Sequence, residues 1–253
     1  LSQGAGSKKI QATRGGTDST HERESHMQEA WQMPLIEGAA ELGLDLKPVQ
    51  ARQLERYLRE LLLWNAAFNL ISTKTTPEKA IVHVLDCLSV IPHVRGRGGP
   101  LLDLGSGGGL PAIPLKIVLP DLAVCMVEST RKKTSFLHQT IRLLDLKGAS
   151  VLQERAELLG PEHRGAYSVV ISRATFHLDR LLRIGALFLA PDGILIAMKG
   201  PRPEEELHEA EPNRTLLGLA PAVVHPIFLP RGGGARTVVI YGRAQGSNGG
   251  GRK

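Results

Sequence analysis

Long apolar runs, cysteines and one-sided charge are all scarce in these 253 residues, and each scarcity removes a class of protein. No stretch reaches the roughly 18 consecutive apolar residues that a membrane-spanning helix needs. The N-terminus has no apolar segment of signal-peptide type, so secretion is not expected. Cys87 and Cys125 each lie inside apolar segments, with no Cys-x-x-Cys spacing. Two buried, reduced thiols in a cytoplasmic protein are expected, with neither disulfide nor metal centre. The net charge of +6 is unevenly placed. The first thirty residues balance, whereas residues 231–253 carry Arg231, Arg236, Arg243, Arg252 and Lys253 and no acid. The body is therefore nearly neutral. A basic end favours nucleic acid, and it equally suits a solvated tail.

The 42% hydrophobic content is enough for a core, and the length fits one α/β domain with an N-terminal addition. Residues 1–26 are polar and read as a disordered tail. Ser25-His26-Met27 looks like an expression-vector junction, so part of that tail is expected to be foreign. Residues 27–98 read as a helical region. In 49–64, Val49, Leu54, Tyr57, Leu58, Leu61, Leu62 and Trp64 recur near helical spacing, and 78–91 forms another helix-compatible segment. Arg95-Gly-Arg-Gly-Gly-Pro100 is a linker. A domain over 99–242 follows, with strands expected at 101–104, 123–128, 149–153, 167–172, 193–198, 222–228 and 236–241. Helices are expected at 111–119, 130–145, 178–189 and 203–209. This alternation implies parallel βαβ units. Pro230-Arg-Gly-Gly-Gly234 marks a tight reversal, so the last strand is expected to run antiparallel. Residues 243–253 read as a flexible basic tail.

The most informative segment is Leu101-Leu-Asp103-Leu-Gly105-Ser106-Gly107-Gly108-Gly109-Leu110-Pro111. It reads as a buried strand, an acid, a glycine-rich turn and a helix start. Glu128 ends the next apolar run, 25 positions after Asp103, which is about one strand–helix–strand unit. An acid at that strand tip suits the two hydroxyls of a ribose. A dinucleotide fingerprint needs G-x-G-x-x-G, but Leu110 stands where its third glycine belongs. The Asp103-x-Gly105-x-Gly107-x-Gly109 order instead resembles motif I of the class I S-adenosylmethionine-dependent methyltransferases. A glycine-rich turn alone also fits a purely structural loop.

Ligands in open α/β sheets bind at the carboxyl ends of strands. The residues just past the expected strands include Ala156 and Glu157 after the third, Arg173 after the fourth and Lys199 after the fifth. Arg173 and Lys199 would face the reacting groups, and Arg231, Arg236 and Arg243 would extend a basic patch for RNA. His83 and Asp86 lie three apart on one helix face. They suit helix packing, since a metal site would need more ligands. Trp64-Asn65-x-x-Phe68-Asn69-Leu70 suits either stacking on a base or packing of the helical region.

Taken in order, Trp64-Asn65-x-x-Phe68-Asn69-Leu70, His83-x-Leu85-Asp86, the glycine segment through Ile113-Pro114-Leu115, Ile171-Ser-Arg173-Ala174 and Lys199-Gly200 resemble one family. It is the RsmG family (GidB, glucose-inhibited division protein B) of bacterial small-subunit rRNA guanine-N7 methyltransferases, and the likeness covers roughly residues 35–242. The resemblance implies a seven-stranded, mostly parallel Rossmann-like sheet with a helical cap. It implies S-adenosyl-L-methionine as methyl donor and a guanine of 16S rRNA (rRNA position 527) as target, in rRNA or a small ribosomal subunit particle; no metal is expected, since no ligand spacing suits one. It implies donor contacts at Gly105, Leu110, Ala156, Glu157 and Arg173, with Glu128 at the ribose, beside the loop residues Asp103, Ser106, Gly107 and Gly109. Gly108, Ala112, Cys87 and Glu128 replace a common proline, glycine, serine and aspartate.

Guanine N7 carries an in-plane lone pair and no proton. Its methylation needs orientation and no general base. The segment after strand four, Ser172-Arg173-Ala174-Thr175, lacks the Asn/Asp-Pro-Pro-aromatic pattern suited to amino methylation. It also lacks the cysteine that pyrimidine C5 chemistry wants. Arg173 and Lys199 are the residues expected to orient the base. A cytoplasmic monomer is expected. Another class I methyltransferase, or a non-catalytic RNA-binding assembly protein with a vestigial donor pocket, remains open at this point.

Overall fold

A computed structural model describes residues 31–244. The expectations for residues 1–26, the Ser25-His26-Met27 junction and residues 245–253 lie outside the described residues. The chain is helical over 31–41 (α1). It continues through α2 (Pro48–Phe68), α3 (Pro77–Leu88) and the short α4 (Ile91–Val94). Then follow β1 (Leu101–Leu104), α5 (Ala112–Val118), β2 (Val124–Val127), α6 (Arg131–Leu144), β3 (Ala149–Leu152) and β4 (Tyr167–Arg173). The chain ends with α7 (Leu178–Gly185), β5 (Leu189–Lys199), α8 (Glu204–Leu216), β6 (Val223–Leu229) and β7 (Gly234–Gly242).

The seven strands form one sheet in the order β3-β2-β1-β4-β5-β7-β6. β1 to β5 pair in parallel, and β7 runs antiparallel to both β5 and β6. β1 and β2 are buried at every residue, as expected for central parallel strands covered on both faces. One face carries α1 to α6. There Leu54, Tyr57 and Leu61 of α2 join Leu101, Ile113, Phe136 and Leu137 in a single core. The helical region is thus an extra layer on the same core. Trp64 packs against Phe136 with ring centroids 5.7 Å apart, so the Trp64–Leu70 segment holds the cap to α6. α7 and α8 cover the other face around Val170, Leu182, Leu195 and Ala197.

Four expectations need correction. α7 stops at Gly185 instead of 189, because Leu189 already pairs with Tyr167 in β5. β5 is correspondingly longer than 193–198: residues 190–192, which fall between the expected helix and the expected strand, are absorbed at a register shift between Tyr167 and Val169. α8 runs to Leu216 through Pro212, a residue that usually ends a helix. Its second half is tied down where Asn213 donates to Asp179 of α7. Finally, Arg243 does not belong to a loose tail: it bridges to Leu219, and the Ala244 N–H donates to Gly218 O.

Candidate active site

Strand order reverses between β1 and β4, and the carboxyl ends of the parallel strands there face a cavity of about 420 Å³. Its wall includes Gly105, Glu128, Ala156 and Glu157 from the sequence expectation. It also includes Thr130, Thr175, Phe176 and Arg180. Thr175 closes the segment after strand four that the sequence singles out, and Phe176 directly follows it. Arg180, inside α7, had no sequence signal. A larger cavity of about 520 Å³, between residues 94–100 and 118–123, lies at the opposite ends of the strands, away from Asp103 and Glu128.

The loop after β1 is built by close approach. Gly105 has φ +74°, and a Cβ there would stand 2.4 Å from Thr175 Cγ2. Only glycine combines that backbone with that contact. The N–H groups of Gly105 and Ser106 donate to Val127 O at 2.9 and 3.0 Å, tying the loop to β2. Ser106 Oγ donates to Asp103 O, and Tyr57 of the cap reaches in to donate its hydroxyl to Gly108 O at 2.7 Å. Ser106, Gly107, Gly109 and the buried Leu110 shape this loop without lining the cavity.

Glu128 lines the cavity at the tip of β2 and is itself oriented. Its Oε2 accepts the Gly107 N–H at 3.0 Å and its Oε1 the Thr130 N–H at 2.8 Å. A carboxylate offers about four acceptor sites, so lone pairs remain for a ligand's hydroxyls. Across the cavity, Glu157 pairs with Arg180, and that hydrogen bond holds its carboxyl below the usual range.

Asp103 is fully buried behind the loop, and neither carboxylate oxygen has a hydrogen-bond partner of good geometry among the described residues. Burial pushes its pKa up to about 7; the nearby Ser106 hydroxyl and Ala112 amide pull it down without cancelling this. Such a carboxyl suits a ligand of positive charge, which would favour its ionised form. It suits a diphosphate poorly. The folded pKa lies above the unfolded value, so the native state holds this proton more tightly. Stability from this group is therefore full below about pH 4, falls as pH rises and levels off above about pH 7. For the ligand-free protein, wild type is expected to lose stability relative to Asp103→Asn, by on the order of a few kcal/mol between pH 4 and 8. Urea unfolding at several pH values measures this, and a difference independent of pH would contradict it.

A second cavity, of about 490 Å³, adjoins the first, and Thr175 and Phe176 belong to both walls. Arg173 and Lys199 line it, together with Arg236. Arg173 Nε pairs with Asp86 at 2.8 Å, and its Nη2 lies 2.9 Å from His83 Nδ1. Burial, then the Arg173 charge, lower the His83 pKa to about 4, so the ring is neutral at physiological pH and accepts this hydrogen bond. The His83–Asp86 pair therefore serves to join α3 to the end of β4. Lys199 Nζ donates to Phe176 O at 2.8 Å and pairs with Glu206 at 2.5 Å. The expected basic patch is partly redrawn. Arg236 lies at the second cavity, but Arg231 pairs with Glu37 at 3.2 Å. Arg243 donates to Ala186 O and Leu189 O at the far end of β5, because β7 runs antiparallel and carries it away from the site.

Comparison with known proteins agrees with this architecture. Residues 50–228 match the family model GidB, described as rRNA small subunit methyltransferase G. The ribosomal RNA small subunit methyltransferase G of Geobacter sp. (strain M21) is 41% identical over 209 residues, covering 83% of this chain and 96% of the relative. The proteins of the same name from Syntrophus aciditrophicus and Chromobacterium violaceum are 37% and 38% identical, covering 83% and 78% of this chain and 89% and 90% of the relatives. Among solved structures, M. jannaschii TYW2 in complex with AdoMet is similar, with a TM-score of 0.50 at 16% identity over 64% of this chain and 76% of that one. That likeness shows the class I methyltransferase fold. With a family match over most of the domain and relatives covered almost end to end, this chain belongs to the ribosomal RNA small subunit methyltransferase G family.

Proposed function

We propose that this protein transfers the methyl group of S-adenosylmethionine to N7 of a guanine in 16S rRNA, in the free RNA or in a small-subunit particle. The observation that carries this reading is the pair of adjoining cavities sharing the Thr175–Phe176 wall. One has an oriented acid, Glu128, for a ribose, and the other brings Arg173, Lys199 and Arg236 together beside Asp86 and Glu206.

In the first cavity the present residues fit the donor. Glu128 would accept the ribose hydroxyls, the Ala156–Glu157 segment would border the adenine, and the glycine loop would admit the amino-acid portion. Asp103, buried behind the glycine loop, adds negative charge to this end of the sheet when ionised, which suits the donor's net positive charge better than the diphosphate of a nicotinamide dinucleotide. Bound there, S-adenosylmethionine supplies an electrophilic methyl group. The protein's task is then orientation, since N7 has no proton to lose. Both carboxylates lining the second cavity agree with this division of labour: Asp86 is committed to Arg173 and Glu206 to Lys199. Arg173 and Lys199 are the residues we assign to base orientation. A monomer acting in the cytoplasm, where small-subunit particles are made, is the form we infer.

Transfer of radiolabelled methyl groups tests the reading. Label is expected in 16S rRNA and absent from large-subunit rRNA offered in parallel. Donor binding with no transfer to any RNA would favour a non-catalytic assembly protein instead.

A further inference from the structure

Phe176 is one of five phenylalanines in the chain, and it stands in the wall common to both cavities. Several features hold it there. Ala174 takes a left-handed backbone, φ 55°, which residues with a Cβ seldom adopt. That bend turns residues 174–177 across the strand ends. Thr175 Oγ1 lies 3.0 Å from Gly105 O, fastening the bend to the glycine loop. Lys199 Nζ grips Phe176 O from the other side, and its partner Glu206 also accepts the Leu178 N–H at 2.7 Å. The Arg180 guanidinium sits over the Phe176 ring, 5.3 Å from its centroid, and lines only the donor cavity. The ring therefore has a cation on its donor side and packs against the core beneath α7 and α8, while residue 176 also belongs to the wall of the second cavity.

We propose that the second cavity receives the target guanine turned out of the RNA chain, and that Phe176 is the surface on which this base stacks. Lys199 and Glu206 act as positioning residues for that ring, and Arg236 meets the nucleotide's phosphate. This rests on the methyl-transfer reading above. A base whose ring atom is to be modified must leave its stack, and an aromatic side chain replaces the lost stacking. The cavity's volume lies within the ordinary range for small-molecule sites, ~300–1,000 Å³. A base stacked on the shared wall stands next to the methyl donor. The Lys199 side chain is 10% exposed and both of its hydrogen bonds go to protein, so it acts on the base through Phe176.

The test compares Phe176→Leu, Phe176→Tyr, Lys199→Met and the Phe176→Leu/Lys199→Met double variant in single-turnover methylation of small-subunit particles. Calorimetric binding of the demethylated donor product reports the fold and the first cavity. Phe176→Leu keeps bulk and loses the π face, so kcat/KM is expected to fall on the order of tenfold, and by more than any loss of donor affinity. Phe176→Tyr should restore most of the activity. Lys199→Met should lower activity alone and add little in the double variant, because its effect passes through the ring. Activity of Phe176→Leu equal to wild type, tyrosine no better than leucine, or full additivity with Lys199→Met would overturn the assignment. Failure of the wild-type protein to methylate any RNA would reject the methyl-transfer reading itself, and the base pocket with it.

Discussion

Arg173→Ala is expected to cost on the order of a hundredfold in methyl transfer and about 3 kcal/mol in stability. The two losses have separate causes. Arg173 lines the second cavity, where displacement of the reacting base by about 1 Å can cost that factor. It is also half of a buried ion pair, with side chains 16% and 8% exposed. Removing it strands the Asp86 carboxylate between α3 and β4, and stranding one member of a buried pair costs about 3–5 kcal/mol. The lower end applies because neither partner is fully enclosed. Arg173→Lys should recover little, since one ammonium cannot meet Asp86 and His83 in the geometry the planar guanidinium provides. Urea unfolding and single-turnover transfer read the two effects independently. A variant of full activity would place the reacting base elsewhere, and a variant of full stability would show that Asp86 finds other solvation.

The second large effect is on the donor. Glu128→Ala is expected to weaken S-adenosylmethionine binding about ten- to a hundredfold, because hydrogen bonds to a charged group contribute roughly 1.5–3 kcal/mol. Part of this loss is indirect. Glu128 accepts the amides of Gly107 and Thr130, so its removal also frees the glycine loop. Water entering from the cavity then takes the carboxylate's place at these amides, so the fold itself should survive. Glu128→Asp should bind nearly as well as wild type, because it keeps the charge at the same strand tip. Calorimetry decides the point: an unchanged dissociation constant for Glu128→Ala would reduce Glu128 to a structural clamp on the loop.

Much of this architecture was legible in sequence because local signals agreed with the fold. The runs at 101–104 and 123–128 are strands because, apart from the acids Asp103 and Glu128, they are apolar and buried, and the glycines after Asp103 mark a turn at positive φ that favours them. The boundaries that failed were set by tertiary contacts. Leu189 is helical by pattern but pairs with Tyr167, and Pro212 reads as a breaker although α7 holds the helix beyond it. The donor-side acids were visible as strand-end residues. Unreadable were the partners: that Arg173 would be gripped by His83 and Asp86, 90 and 87 positions away, or that Lys199 would hold the backbone of Phe176. Such contacts depend on how the cap and the loops meet, which no spacing encodes. Arg243 shows the converse, since its charge was evident and its place at the wrong end of the sheet was not.

The most direct measurement concerns the methylated atom. Small-subunit rRNA is incubated with the protein and S-adenosylmethionine, reduced, treated with aniline and mapped by primer extension. An N7-methylguanine carries a fixed positive charge and becomes labile under this treatment. One new strand break is expected, at a guanine in the decoding-region loop, dependent on donor and lost in Arg173→Ala. Methyl groups incorporated into that RNA without any donor-dependent break would place the transfer on another atom and contradict the reading of this site.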